Sequence, residues 1–243
     1  MEHVRCNLCG ADDAAVIYPS TRKQDHDGHD TGWHAFRCTH SGYGTHPPIV
    51  QCQRCGLVYT DPRPDGDDIL KTYQAVEDPL YIEEREGRVL TFEHHLKPLE
   101  RLTGQPDGRP LLDVGAYTGV FVEIAAQHGW DAWGIEPSSW AVKDIESLFA
   151  RLMGPRWPWL MEMHIYYFSR HTLRAMLETC GFQVLDDKPQ GRYLRLGYLM
   201  NRIGALMPLV GRPTEWVVTK LGLRSLAVPV NLGDLFTAYA TKR

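Results

Sequence analysis

Apolar positions recur along this chain in two rhythms, and between residues 110 and 135 both occur close together. Pro110-Leu111-Leu112-Asp113-Val114 is a short apolar run that suits a buried strand. Val120, Phe121, Ile124 and Ala125 then fall at helical spacing. After Gly129 a second strand is expected from Asp131 to Ile135, ending in Glu136-Pro137. From Asp67 to Leu102 the pattern is helical, with Leu70, Tyr73, Val89, Phe92, Leu96 and Leu99 among its apolar positions. Gly56 to Thr60 reads as a strand that Pro62 and Pro64 end. Further along come a helix over Arg170–Thr179, a strand over Gly181–Leu185, helices within residues 191–224 and a last strand within Gly233–Ala240.

The central stretch is therefore strand, glycine loop, helix and strand with an acid at its tip, the first half of a nucleotide-binding α/β unit. Each residue type has work to do there. Gly115 and Gly119 permit a turn that a Cβ would obstruct and let backbone approach a ligand across Ala116, Tyr117 and Thr118. The helix that follows offers unpaired N–H groups to a polar ligand group. Glu136 is placed to accept two hydrogen bonds from vicinal ribose hydroxyls, with Pro137 behind it. Asp113, where the first strand opens, either orders the loop or meets a cationic ligand. The competing reading is an α/β domain whose loop binds nothing.

Six cysteines add a second signal. Cys6-Asn7-Leu8-Cys9-Gly10 and Cys52-Gln53-Arg54-Cys55-Gly56 are two CxxCG knuckles. Two residues between thiolates let both sulfurs reach one ion, and the glycine permits the tight turn beneath it. Cys6, Cys9, Cys52 and Cys55 together make a closed tetrahedral set of the kind that holds structural zinc. A redox CxxC pair is the alternative. The insertion between the knuckles carries Asp25, His26, Asp27, His29, Asp30, His34, Cys38, His40 and His46. It reads as a polar excursion rather than a second metal site, and Cys38 and Cys180 as ordinary thiols.

Composition narrows the function. At 243 residues the chain can bury a sizeable core, and 43% hydrophobic with 23% charged residues is ordinary for a globular protein. With 26 basic against 30 acidic residues and no basic stripe, nucleic acid is not expected as the main partner. No apolar core of a signal peptide follows Met1, and Leu194–Val210, the nearest approach to a membrane span, contains Arg195 and Arg202. A cytoplasmic protein is expected, in which cysteines serve metals rather than disulfides. The sequence assigns no oligomeric state.

Asp113 to Gly119 resembles motif I of the class I S-adenosylmethionine-dependent methyltransferases, and Gly134-Ile135-Glu136-Pro137-Ser138 resembles their second-strand acid. Together with the double CxxCG and the joint Cys55–Pro64, the chain is similar to zinc-ribbon methyltransferases that include the C-methyltransferases of deoxysugar biosynthesis. The resemblance implies a Rossmann-like α/β core with a small N-terminal zinc ribbon, structural zinc, and S-adenosylmethionine bound by Asp113, Gly115, Ala116, Tyr117, Thr118, Gly119, Glu136 and Pro137. It implies a zinc-ribbon domain over 1–64, a helical linker or lid over 65–105 including Tyr73, Tyr81 and His94-His95, and a methyltransferase domain over 106–243 with a helical insertion at about 191–224. The acceptor would be a small molecule such as a nucleotide-linked sugar, methylated at carbon or oxygen. His164 is the candidate base, with Tyr166 beside it. Trp157, Trp159 and Trp216 are candidates to stack on a sugar or to fill core.

The chain departs from that family after the second strand. Ala141-Val142-Lys143-Asp144 runs straight into Ile145-Glu146-Ser147-Leu148, which in relatives follows the fifth strand. The missing material, on the order of 60 to 70 residues at roughly 30 or more per βαβ unit, would carry the adenine contact and half the sheet. The rival expectation is a catalytically degenerate protein that keeps the ribbon and the loop as a binding or interaction module.

Overall fold

The computed structural model describes residues 1–21, 39, 45–74, 78–114, 116–135, 148–154, 160 and 164–242. Its first elements are β1 (Ala14–Tyr18), β2 (Ile49–Cys52), β3 (Val58–Thr60), α1 (Gly66–Gln74), α2 (Pro79–Glu83) and α3 (Arg85–Thr103). Then follow β4 (Pro110–Val114), α4 (Val120–Gln127), β5 (Asp131–Ile135), α5 (Leu148–Met153), β6 (Tyr166–Tyr167) and α6 (Arg170–Thr179). The last are β7 (Phe182–Pro189), β8 (Arg192–Arg195), α7 (Leu196–Leu206), α8 (Pro208–Lys220), β9 (Ala227–Val230) and β10 (Phe236–Lys242). This is a mixed α/β chain with several small sheets.

Two compact units share the chain. One takes Met1–Glu77, Ala141–Pro189 and Leu232–Arg243; the other takes Asp78–Trp140 and Gln190–Asn231. In the first unit strand pairing and a shared core bring distant stretches together with the cysteine knuckles.

In the first unit β1, β2, β3 and β6 form one antiparallel sheet in that order. Successive side chains of a strand point to opposite faces, and here both faces are covered. Val50 and Tyr59 join Cys6, Cys52, Leu57, Phe168, Leu173 and Phe236 in one buried cluster. Their neighbours Ile49 and Val58 join Leu160 and Tyr167 in another. β6 is two residues long, yet it closes the sheet by pairing Tyr167 with Val58 and Tyr166 with Tyr59. The chain start is held to the joint after β3: Glu2 and Arg63 exchange backbone hydrogen bonds of 2.7 and 3.0 Å, and the Val4 N–H donates to Asp61 Oδ1 at 2.9 Å.

α6 begins at a capping box in which the Thr172 N–H donates to Ser169 Oγ and the Ser169 N–H donates to Thr172 Oγ1. It sends Leu173, Met176 and Leu177 into the cysteine cluster. β7 and β10 pair antiparallel from Phe236↔Pro189 to Lys242↔Phe182. Arg174 reaches Asp187 at 2.6 Å, tying α6 to β7.

In the second unit β4 and β5 pair parallel, Pro110↔Asp131 through Val114↔Ile135, with α4 as the crossover. The apolar stripe of α3 (Val89, Phe92, Leu96, Leu99) packs with Val120, Ile124, Ala125 and Trp130. The expected helix over 67–102 is broken at Asp78, whose side chain accepts from the Tyr81 N–H while Pro79 occupies the first turn; both are helix starters. Residues 191–224 contain the expected helices α7 and α8, now framed by the antiparallel pair β8–β9. Glu84 is buried and accepts from Arg195 Nε at 2.8 Å. Among the described residues β4 pairs only with β5 and β10 only with β7. Between β5 and α6 the described elements are α5 and β6 alone, which supply no strand to bridge the two pairs.

Candidate metal centre and glycine loop

The two knuckles repeat one backbone device. Cys6 N–H donates to Ala11 C=O at 2.9 Å and Gly10 N–H donates to Cys6 C=O at 2.8 Å. In the second knuckle Cys52 N–H donates to Leu57 C=O at 2.9 Å and Gly56 N–H to Cys52 C=O at 3.0 Å. Gly10 and Gly56 stand at φ 72° and 77°, in the left-handed region that glycine enters without steric cost. Each CxxC turn thus aims two sulfurs to one side, and β2, which ends at Cys52, brings the pairs together.

The Sγ atoms of Cys6, Cys9, Cys52 and Cys55 all lie within 4.8 Å of one another. Cys6 and Cys55 approach to 3.4 Å and Cys9 and Cys52 to 3.6 Å. These separations exceed the ~2.05 Å of a disulfide. They match the edge of about 3.8 Å that a tetrahedron of sulfurs has around zinc at ~2.3 Å. The cysteines are free thiols, and the arrangement is one that can hold a metal ion.

The backbone N–H of Ala11 brings the Cys9 thiol down to about 7 despite some burial. Burial pushes Cys52 and Cys55 up. Four thiolates in so small a volume would need a cation to offset their desolvation and mutual repulsion, as a divalent ion would. Beneath them, burial raises Tyr59 to about 12, while the Cys52 thiol donates to Asp13 Oδ1 at 3.6 Å. Asp13 drew no attention in the sequence, where no pattern marks it as a partner of the knuckles.

In the second unit the turn from β4 to α4 runs through Tyr117 and Gly119, at φ 43° and 72°. The Gly119 N–H closes it on Ala116 C=O at 2.8 Å. Gly119 is the residue before the helix, so the first amides of α4 face away from any intrahelical acceptor. Tyr81 of α2 lies edge-on against Tyr117, with ring centroids 4.2 Å apart, and the Arg88 guanidinium stacks on Tyr81 at 3.2 Å. A positioning residue passed over in sequence is Gly134. A Cβ there would stand 2.8 Å from Ala116 Cβ and 3.0 Å from Val122 Cγ2, so only glycine lets β5 lie against the loop and α4. A glycine inside a strand is the signal for such close approach.

Asp113, Ala116, Tyr117, Thr118 and Gly119 belong to this second unit; Gly115, Glu136 and Pro137 lie outside the described residues. The candidate base His164 and Tyr166 belong to the first unit. His164 is buried, its carbonyl accepts from Thr60 Oγ1 at 3.3 Å, and its ring stands edge-on to Tyr167. The Tyr166 hydroxyl accepts from Arg63 at 3.1 Å, and the same guanidinium covers its ring. Of the insertion, the histidines from His26 to His40 and Cys38 lie outside the described residues, as do Trp157 and Trp159. His46 is buried, and its Nδ1 is 2.7 Å from Pro47 C=O. Cys180 is exposed at the end of α6. His95 of α3 is hydrogen-bonded to Gly191 C=O through Nε2 at 2.9 Å. No family model matches the chain, and no curated protein is significantly similar to it.

Proposed function

We propose that the chain holds structural zinc at Cys6, Cys9, Cys52 and Cys55 and binds S-adenosylmethionine at the loop after β4, as a methyltransferase acting on a small molecule such as a nucleotide-linked sugar. The observation that carries the cofactor reading is the left-handed turn at Tyr117 and Gly119 entering α4 between two parallel strands. Such a turn presents helix amides and small side chains to a ligand. Asp113, Gly115, Ala116, Tyr117, Thr118, Gly119, Glu136 and Pro137 would hold the cofactor, Glu136 through the ribose hydroxyls. Bound S-adenosylmethionine supplies an electrophilic methyl group; the protein's part is to place the acceptor in line and take up any proton released. His164, with Tyr166, is the proposed base. The zinc site, with all four ligand positions filled by protein, leaves none open for substrate.

A second reading is favoured by one observation: among the described residues β4 and β5 pair with each other and with no further strand. A protein that keeps the ribbon and the loop without the rest of the sheet serves as a binding module. Calorimetric titration with S-adenosylmethionine and its demethylated product separates the two. Micromolar binding, lost in Glu136→Ala and Gly119→Val, supports the cofactor site, and an acceptor screen then tests transfer. A cooperatively melting, zinc-loaded protein that binds neither compound removes the methyltransferase reading.

A further inference from the structure

The helical hairpin α7–α8 carries an apolar stripe that nothing in its own unit covers. On one side of α8, Gly211 is buried and lies so close to Gly204 of α7 that a Cβ would collide with the Gly204 backbone. Thr214, Glu215 and Val218 follow on that side at helical steps and are partly covered. On the other side Leu209 is 93% exposed, Trp216 62%, Val217 45% and Leu221 65%. Leu209, Trp216 and Val217 fall at i, i+7 and i+8 on one face of the helix, and Leu221 is its C-cap residue. Met207, 55% exposed at the turn of the hairpin, extends it. Scattered exposed leucines are ordinary, but exposed apolar side chains gathered on one helix face with a tryptophan mark an interaction surface.

Charge selects the occupant. From Leu209 to Arg224 the sequence carries Arg212, Lys220 and Arg224 against the single acid Glu215, in a chain whose formal net charge is −4. Lys220 lies over Trp216 with Nζ 5.9 Å from the ring, and Arg224 follows in the next turn of chain, 3.7 Å from Glu215. We propose that this hairpin docks the protein on the surface of an anionic lipid bilayer. Leu209, Trp216, Val217 and Leu221 enter the boundary of the acyl region, and Lys220 and Arg224 reach headgroup phosphates. A two-fold contact with a second copy would set the same cations against each other. At 13 residues α8 is about 20 Å long, short of the ~30 Å hydrocarbon core, so it lies in the plane of the surface. Among the described residues no helix is long and apolar enough to cross a membrane. The inference rests on α7 and α8 alone and is independent of cofactor binding.

The test is sedimentation of the full chain with vesicles of phosphatidylglycerol and phosphatidylcholine in equal parts, and with phosphatidylcholine vesicles. The expected result is binding to the anionic vesicles, at least about tenfold weaker on the neutral ones and weakened by salt. Leu209→Ser and Trp216→Ser should each lower the partition coefficient about tenfold or more. Lys220→Glu should lower it roughly fivefold or more. All three positions are exposed, so circular dichroism melts should match the parent. A folded chain that stays in the supernatant with anionic vesicles, or that binds equally after these substitutions, overturns the proposal. So does a dimer by light scattering that Trp216→Ser converts to monomer, because the stripe then belongs to a second copy.

Discussion

The two compact units reach a buried core by opposite routes. The cysteine unit draws on three separated stretches of chain, and two of the eight residues in its principal core cluster are knuckle cysteines. The unit with the glycine loop builds its principal cluster from residues 89–132, where a helix, a strand, a second helix and a second strand follow one another. A core that includes the ligands of an ion is as stable as the ion's hold on them. A core made by local amphipathic elements depends on packing alone. The two should therefore respond differently to the same insults.

Metal removal should produce the largest contrast. Structural zinc in small domains is worth roughly 10–16 kcal/mol, as much as the whole stability of a typical domain. A strong chelator, or Cys6→Ser with Cys9→Ser, should unfold the cysteine unit. Hydrogen exchange would then show loss of protection in β2 and β3 and also in β7 and β10, which share the cluster through Phe236. Amides of β4 and α4 should keep theirs. Uniform loss in both units would collapse the distinction. Elemental analysis should find about one zinc per chain, and a metal-free yet fully folded protein would remove the zinc assignment.

Two equally buried leucines sharpen it. Leu57 and Leu96 are both 0% exposed, one in each unit. Each change to alanine should cost about 2–5 kcal/mol. In calorimetric scans Leu57→Ala should move only the zinc-dependent transition and Leu96→Ala only the other. Gly134→Val should cost the second unit roughly 1–3 kcal/mol, because its side chain must displace Ala116 and Val122. It should weaken S-adenosylmethionine binding in titration by disturbing the loop.

The smallest effect is that of pH. Burial holds His95 below its ordinary value of 6.5, against the opposing bond to Gly191. Between the lowered folded value and 6.5 the unfolded chain binds more protons, so this contribution is complete above pH 6.5 and is lost as pH falls. The melting temperature of the second unit should decline on acidification below that point, and His95→Gln should flatten the slope. An unchanged slope would show that another group sets it.

The parts legible in the sequence are those whose signals are local. CxxCG fixes the geometry of a knuckle within five residues. The β4–loop–α4–β5 run declares itself by spacing and glycine. Asp78-Pro79 was equally local, a cap followed by a first-turn proline, but a continuous apolar periodicity masked it. Pairings between distant segments were not legible. Tyr166-Tyr167 becomes a strand only because Val58 and Tyr59 stand opposite it, more than a hundred residues away. Arg192 to Arg195 alternates too briefly to separate from the helices that follow, and β9 is needed to make it a strand. The loop was placed by its motif, while the need for Gly134 emerges only from the approach of Ala116.

The threading of the cysteine unit through three stretches of chain also has a consequence during synthesis. The knuckle thiols leave the ribosome well before Phe236, a member of their cluster that is translated some 180 residues after Cys55. At 5–20 residues per second that is a delay of roughly 10–40 s. Within that interval the second unit's segment 78–140 is completed while the cysteine cluster still lacks Phe236. A metal arriving in that interval would meet a half-built site, and nascent chains stalled before β10 would present both reactive thiols and sticky surface to quality control.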